Sequence, residues 1–165
     1  MTVKVYPFKA EGTVAAPPSK SFAHRFLIAA ALKKGRTVIK NIGSSADVMR
    51  TCDCLTALGA KITLENGNAV VNGIEKSSGE EVVVLNAGES GSTLRFLMPI
   101  VAALGVKAKF VCEKSLLSRP MDELIAVLGE HGAKTEKLAD GYSVSGKIRS
   151  GEYVLSGGVS SQYAS

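Results

Sequence analysis

The sequence predicts a mixed α/β (α+β) fold made of repeated βαβαββ units, two of them complete and a third begun. Three observations carry this expectation. Gly59-Ala60-Lys61, a strand-like stretch, a turn and Val70-Val71-Asn72-Gly73 return as Gly132-Ala133-Lys134 leading to Ser143-Val144-Ser145-Gly146, a shift of 73 residues. His24-Arg25-Phe26-Leu27 lines up with Leu94-Arg95-Phe96-Leu97 at a shift of 70. Within each unit, short β-branched runs alternate with longer apolar runs that stop at glycine.

The first unit covers about residues 12–78. Gly12 to Ala16 reads as a short strand, and Ser21 to Lys33 as an apolar helix that Gly35 stops. Thr37 to Asn41 is a strand of β-branched residues. Ala46 to Leu58 is a second helix with Asp47 near its start and Gly59 at its end. Lys61 to Glu65 and Ala69 to Asn72 form a hairpin around Asn66-Gly67, a pair that suits a two-residue turn. The second unit, about residues 79–150, repeats this order from Glu81 to Lys147. A third begins at about residue 151, with Glu152 to Ser156 as its strand and Ser160 to Ala164 opening a helix. One helical turn cannot bury an apolar face, so a shortened chain is expected, with a natural short tail as the alternative.

Composition narrows the function classes. Of 165 residues, 45% are hydrophobic and 21% charged, as in soluble globular proteins. The net charge of +5 favours anionic partners weakly. The basic residues are scattered among only nine aromatics (Tyr 4, Phe 5), which argues against a nucleic-acid surface. There is no apolar run of membrane length and no signal-peptide core, so a cytoplasmic protein without a membrane partner is expected. Cys52, Cys54 and Cys112 lack zinc-pair spacing and read as free, partly buried thiols. His24 and His131 form no metal set, and no acid–base or nucleophilic triad can be assembled.

The charges at the helix starts are informative. A helix N-terminus carries about +0.5 of an elementary charge and favours acidic residues. Lys20, Arg25 and Arg95 nevertheless lie in early helical turns, and Arg119 precedes Pro120, which suits a first helical position. A bound anion reverses the cost, since backbone N–H groups and cation then face one negative charge. Small hydrogen-bonding residues surround these cations in the runs Pro17 to Ser21, Asn86 to Thr93 and Gly157 to Gln162. Each has a simpler explanation on its own. Ser21 alone reads as a helix cap, a lone arginine as a solvated residue, and Asp47, Asp122 and Glu123 as dipole partners. Their recurrence at equivalent corners of the repeat favours a shared anionic ligand.

Pro18-Ser19-Lys20-Ser21 followed by His24-Arg25, then Glu89-Ser90-Gly91-Ser92-Thr93-Leu94-Arg95, Ser118-Arg119-Pro120-Met121 and Ser160-Ser161-Gln162, resemble the successive motifs of the 5-enolpyruvylshikimate-3-phosphate synthase family. The resemblance implies the enolpyruvyl transferase fold. It also implies transfer of the enolpyruvyl group of phosphoenolpyruvate to the 5-hydroxyl of shikimate 3-phosphate, by addition and elimination with release of phosphate. This is the reaction that glyphosate targets, and it uses no metal or organic cofactor.

By motif, Lys20 lies between the substrates and neutralises phosphoenolpyruvate, which makes it the catalytic candidate. Ser21 and Arg25 hold shikimate 3-phosphate, Arg25 through its carboxylate. Gly91 offers backbone to phosphoenolpyruvate, Arg119 binds its negative groups, and Arg95 lines the same side. Ser160 and Ser161 take the phosphate of shikimate 3-phosphate, and Gln162 contacts both substrates. Glu89 stands where many members have Asn, which implies a supporting role or altered inhibitor sensitivity. The family has six such units in two domains. Residues 12–165 therefore correspond to an incomplete N-terminal domain. Residues 1–11 correspond to a strand of the other domain, and the remaining catalytic residues lie in that domain, a missing partner. Apolar edges are expected to be exposed, and the chain alone to be inactive. A non-catalytic anion-binding module and a nucleic-acid binder of cyclase-like architecture are the competing readings.

Overall fold

The structure, a computed structural model, describes residues 2–9, 11–75, 81–156, 158 and 160–165. The first unit contains α1 (Lys20–Leu32), β1 (Arg36–Ile39), α2 (Ala46–Ala57), β2 (Lys61–Glu65) and β3 (Asn68–Asn72). The second contains β4 (Val83–Gly88), α3 (Gly91–Leu104), β5 (Ala108–Cys112), the short α4 (Lys114–Leu117), α5 (Asp122–Glu130), β6 (Lys134–Leu138) and β7 (Gly141–Ser145). The predicted repeat is present. The three-stranded antiparallel sheet runs β1-β3-β2, and the four-stranded sheet runs β4-β5-β7-β6, so β5-β7-β6 repeats the first order. β4 is added at the edge, parallel to β5. The helices preceding β2 and β6 end alike. Gly59 (φ 106) and Gly132 (φ 108) take the left-handed conformation, and Ala60 N–H and Ala133 N–H reach back to Leu55 and Leu128 carbonyls at 3.0 Å.

The two units share one core. Leu27, Val48 and Leu55 of the first are wholly buried with Leu85, Leu94, Leu97, Met98 and Phe110 of the second. Helix α2 packs on β4 as well as on α1 and α3, so it covers the first strand of the following unit. The shift of 70 also survives in space. His24 and Leu94 are both fully buried, as are Leu27 and Leu97. Burial raises the Cys54 thiol to about 12 and those of Cys52 and Cys112 to about 11, which makes all three poor nucleophiles. Among the described residues no helix is long and apolar enough to cross a membrane.

Several expected elements differ. Residues 12–16 form no strand, and Val14 is 91% exposed. Their counterpart β4 is covered by α2, whereas residues 12–16 are exposed throughout, and among the described residues no strand pairs with the outer edge of β1. Residues 152–156 are extended without a strand partner, held to α5 by the Ser156 N–H donating to Glu123 Oε1 at 2.5 Å. Residues 161–164 make a turn rather than a helix, with Tyr163 N–H bonded to the Ser160 carbonyl. Pro120 does not open a helix. α5 starts at Asp122, because the Pro120 carbonyl is engaged by Arg95 and by the Tyr163 hydroxyl.

An apolar groove of about 830 Å³ runs between α1, α3 and α5, bounded by Ile28, Leu32, Phe96, Ile100, Leu124 and Leu128. Val82, Val84, Phe22 and Phe26 are more than half exposed.

His24 gives the fold a pH dependence. Burial drives its pKa down to about 4; the Asp47 carboxylate opposes the shift, and Lys20 and Arg25 add to it. The unfolded chain binds the proton more readily. The stability His24 contributes is thus complete above its ordinary pKa of about 6.5, lost as pH falls towards 4, and level below that. In urea unfolding, the stability difference between the wild-type chain and His24→Phe should shrink by about 3 kcal/mol from neutral pH to about pH 4. A pH-independent difference would contradict this assignment.

Candidate active site

Two of the four main helices begin without acidic residues. α1 and α3 have none in their first turns, whereas α2 has Asp47 and α5 has Asp122 and Glu123. Lys20 is the first residue of α1. The cap there is Ser19, whose hydroxyl accepts from Phe22 N–H, so Ser21 is not the cap that it resembles in isolation. At α3 the Ser90 hydroxyl accepts the Thr93 N–H. The Gly91 and Ser92 N–H groups have no protein acceptor among the described residues.

Arg95 defines the first corner. It is only 8% exposed, and among the described residues no carboxylate pairs with it. Its Nη1 donates to Gln162 Oε1 at 2.9 Å and its Nη2 to the Pro120 carbonyl at 3.3 Å. Its guanidinium carbon lies 5.8 Å from the Tyr163 ring centre. Gln162 reaches on to Ser92 Oγ at 2.8 Å. Gly91 lies between two cations, for a Cβ placed there would stand 2.8 Å from Arg95 Nη1 and 3.0 Å from Arg119 Nη1. Four of the expected site residues, Gly91, Arg95, Arg119 and Gln162, thus meet around free N–H groups.

Arg25 defines the second corner. Its Nη1 donates to Ser21 Oγ at 2.6 Å and to the Ser21 carbonyl at 3.0 Å, and its Nη2 to Ser165 Oγ at 2.5 Å. Its guanidinium sits 4.7 Å above the Phe96 ring. The turn after residue 159 joins the corners. Gln162 touches Arg95, Ser165 touches Arg25, Ser160 Oγ accepts Gln162 N–H at 3.3 Å, and the Ser161 carbonyl accepts from Ser165 Oγ at 3.4 Å.

Lys20 stands apart from both clusters. Its Nζ lies 2.6 Å from Asp47 Oδ2, in a pair that is half exposed on the lysine side. Such a pair contributes about 0–1 kcal/mol, weak enough to exchange for a stronger anion. The carbonyl of the same Asp47 accepts from Thr93 Oγ1, which ties Lys20's partner to the start of α3. Glu89 is exposed and accepts from Ser115 Oγ at 2.8 Å, so it is not paired with Arg95. The sequence reading missed Ser92, Phe96, Tyr163 and Ser165. Ser92 was inside a quoted motif, but nothing in the pattern marks the aromatic platforms or the terminal serine.

The fold and site together define an α/β repeat with two positively charged corners. Residues 6–165 match the family model for EPSP synthase (3-phosphoshikimate 1-carboxyvinyltransferase), and the chain belongs to that family. It is similar to a 3-phosphoshikimate 1-carboxyvinyltransferase of Clostridium beijerinckii, 39% identical over 170 residues that take in 98% of this chain and 39% of that protein. The corresponding protein of Clostridioides difficile is 34% identical over 174 residues, 98% of this chain and 40% of the relative. The chain therefore spans about two-fifths of the length of the curated relatives it matches. The fold resembles the solved EPSP synthase of Acinetobacter baumannii, with a TM-score of 0.72 at 22% identity over 84% of this chain and 32% of that one.

Gly91→Ala separates binding from folding. It should change stability by no more than about 1 kcal/mol, yet weaken phosphate binding about tenfold by pushing Arg95 and Arg119 aside. Chemical denaturation and phosphate titration of the same sample check both halves; undiminished phosphate binding would remove Gly91 from the site.

Proposed function

We propose that this chain supplies part of the active site of a transferase that moves the enolpyruvyl group of phosphoenolpyruvate to the 5-hydroxyl of shikimate 3-phosphate and releases phosphate. The observation that carries this reading is the buried Arg95 guanidinium, without a carboxylate among the described residues, beside the free N–H groups of Gly91 and Ser92 and the Arg119 guanidinium. Charge and donors there suit a small, multiply charged anion. Family membership supplies the substrate class.

In this reading Gly91, Arg95 and Arg119 hold phosphoenolpyruvate. Planar guanidinium forks engage two oxygens of a carboxylate or phosphate at once. Lys20 exchanges Asp47 for phosphoenolpyruvate and offsets its charge as it adds to the sugar-like acceptor. Arg25, held by Ser21 and resting on Phe96, takes the carboxylate of shikimate 3-phosphate. Ser160 and Ser161 take its phosphate, and Gln162, already bonded to Arg95, lies between the two substrates. The remaining groups for proton transfer belong to a second domain, the partner of this half of the cleft. Residues 1–11 are assigned to that domain too, supported by the 66–77% exposure of Val3, Val5, Tyr6 and Phe8. Residues 12–165 are then part of the N-terminal domain, in a cytoplasmic enzyme that glyphosate targets, and Glu89 supports the site from outside it and modifies inhibitor sensitivity.

Calorimetric titration with shikimate 3-phosphate tests the proposal. Weak binding that diminishes with added salt is expected, with at least a tenfold loss in Arg25→Ala. A well-folded sample with no salt-sensitive binding would contradict it. Binding of single-stranded RNA that is indifferent to shikimate 3-phosphate would favour the cyclase-like reading instead.

A further inference from the structure

Four fully buried polar side chains form a row where α1, α2 and α3 meet. His24 Nδ1 lies 2.7 Å from Thr51 Oγ1, Thr51 Oγ1 lies 2.7 Å from Thr93 Oγ1, and Thr93 Oγ1 lies 2.7 Å from Ser90 Oγ. All four residues are 0% exposed. The repeat makes His24 conspicuous, because its counterpart Leu94 fills the same core position with no polar atom. Burying an imidazole there destabilises the core unless its nitrogens find partners. Only Nδ1 does; Nε2 has none among the described residues, and the ring meets Phe96 edge-on with centroids 6.3 Å apart.

The proton inventory selects one tautomer. With the proton on Nδ1, His24 donates to Thr51, Thr51 donates to Thr93, and Thr93 donates to Ser90 Oγ or to the Asp47 carbonyl 3.3 Å away. The Nδ1 proton and the Thr51 and Thr93 hydroxyl protons are then all used, and the ring leaves only a bare lone pair at Nε2. With the proton on Nε2, a buried N–H has no acceptor, every donation along the row must reverse, and the Asp47 carbonyl loses its hydroxyl donor. An orphaned buried N–H is rarer and costlier than an orphaned lone pair.

The row ends at the Ser90 hydroxyl, which caps α3 by accepting Thr93 N–H, and Gly91 is the next residue. It starts on α1, one residue before Arg25, and it touches Asp47, the partner of Lys20. One strip of hydrogen bonds therefore spans both charged corners. We propose that His24 is a positioning residue: through Thr51 and Thr93 it holds Ser90, and thereby aims the Gly91 and Ser92 N–H groups at the anion while keeping the α1 corner in register with the α3 corner. This inference rests on the anion-site reading above, and the experiment distinguishes failure of one from failure of the other.

The test uses the ¹⁵N-labelled chain, with imidazole nitrogen spectra for the tautomer and inorganic phosphate titrations followed at the Gly91 and Ser92 amides. The Nδ1–H tautomer is expected. His24→Phe, which keeps the ring and loses the donor, should bind phosphate about tenfold more weakly, whereas His24→Asn, whose amide N–H stands near Nδ1–H, should stay within about twofold of wild type. If His24→Phe does not fold, the near-isosteric Thr51→Val interrupts the same row and should show the same loss. An Nε2–H tautomer overturns the proposal, and so does undiminished phosphate affinity in a folded His24→Phe or Thr51→Val. If the unmodified chain binds no phosphate at all, the anion site itself fails and the positioning role with it.

Discussion

The Arg95 guanidinium lies almost wholly out of water, within the first turns of a helix whose own dipole is positive there. Gln162, the Pro120 carbonyl and the face of Tyr163 hold it in place, but none of them carries a negative charge. A buried cation left so costs several kcal/mol, and dipolar contacts recover only part of that. The dipole rule is broken at this corner and at the start of α1 and kept at α2 and α5, whose first turns carry acids. Conflict confined to two neighbouring helix starts is how a binding site shows itself in a structure otherwise consistent with its sequence. The surrounding features follow from it. Gly91 leaves room for two guanidiniums, Ser90 closes the helix without using the Gly91 N–H, and the turn after residue 159 crosses from Arg95 to Arg25.

Much of this was legible in the sequence, for physical reasons. The repeat could be read because each unit needs the same glycines at helix ends, where φ is positive, and the same alternation in its hairpin. Gly59 and Gly132 show both the pattern and its cause. The cations at helix starts could be read because they contradict the dipole rule. Residues 12–16 and 152–156 have a strand-like local pattern but form no strand, because pairing needs a neighbour and a covering helix. Ser21 read alone resembles the cap of α1 because Ser19 and Ser21 both satisfy the composition rule and only backbone geometry separates them. The row from His24 to Ser90 joins residues up to 69 positions apart, and no local pattern encodes that contact.

The two units depend on each other. α2 covers β4, the first strand of the next unit, and the Thr51–Thr93 contact fastens α2 to α3. The charged corners are thus held by inter-unit contacts rather than by either unit alone. The apolar groove between α1, α3 and α5 lies beside the corners and shares with them Arg25, Phe96, Tyr163 and Ser165. Its lining is aliphatic and aromatic, so it offers a packing surface, while recognition of charge stays with the helix starts.

The most direct measurement is a crystal structure of the chain soaked with phosphoenolpyruvate. The account predicts a phosphate or carboxylate group within hydrogen-bond reach of the Gly91 N–H, with the Arg95 and Arg119 guanidiniums closing on it and Ser90 still capping α3. Phosphoenolpyruvate bound on another face, or Arg95 found paired with a protein carboxylate instead, would contradict it.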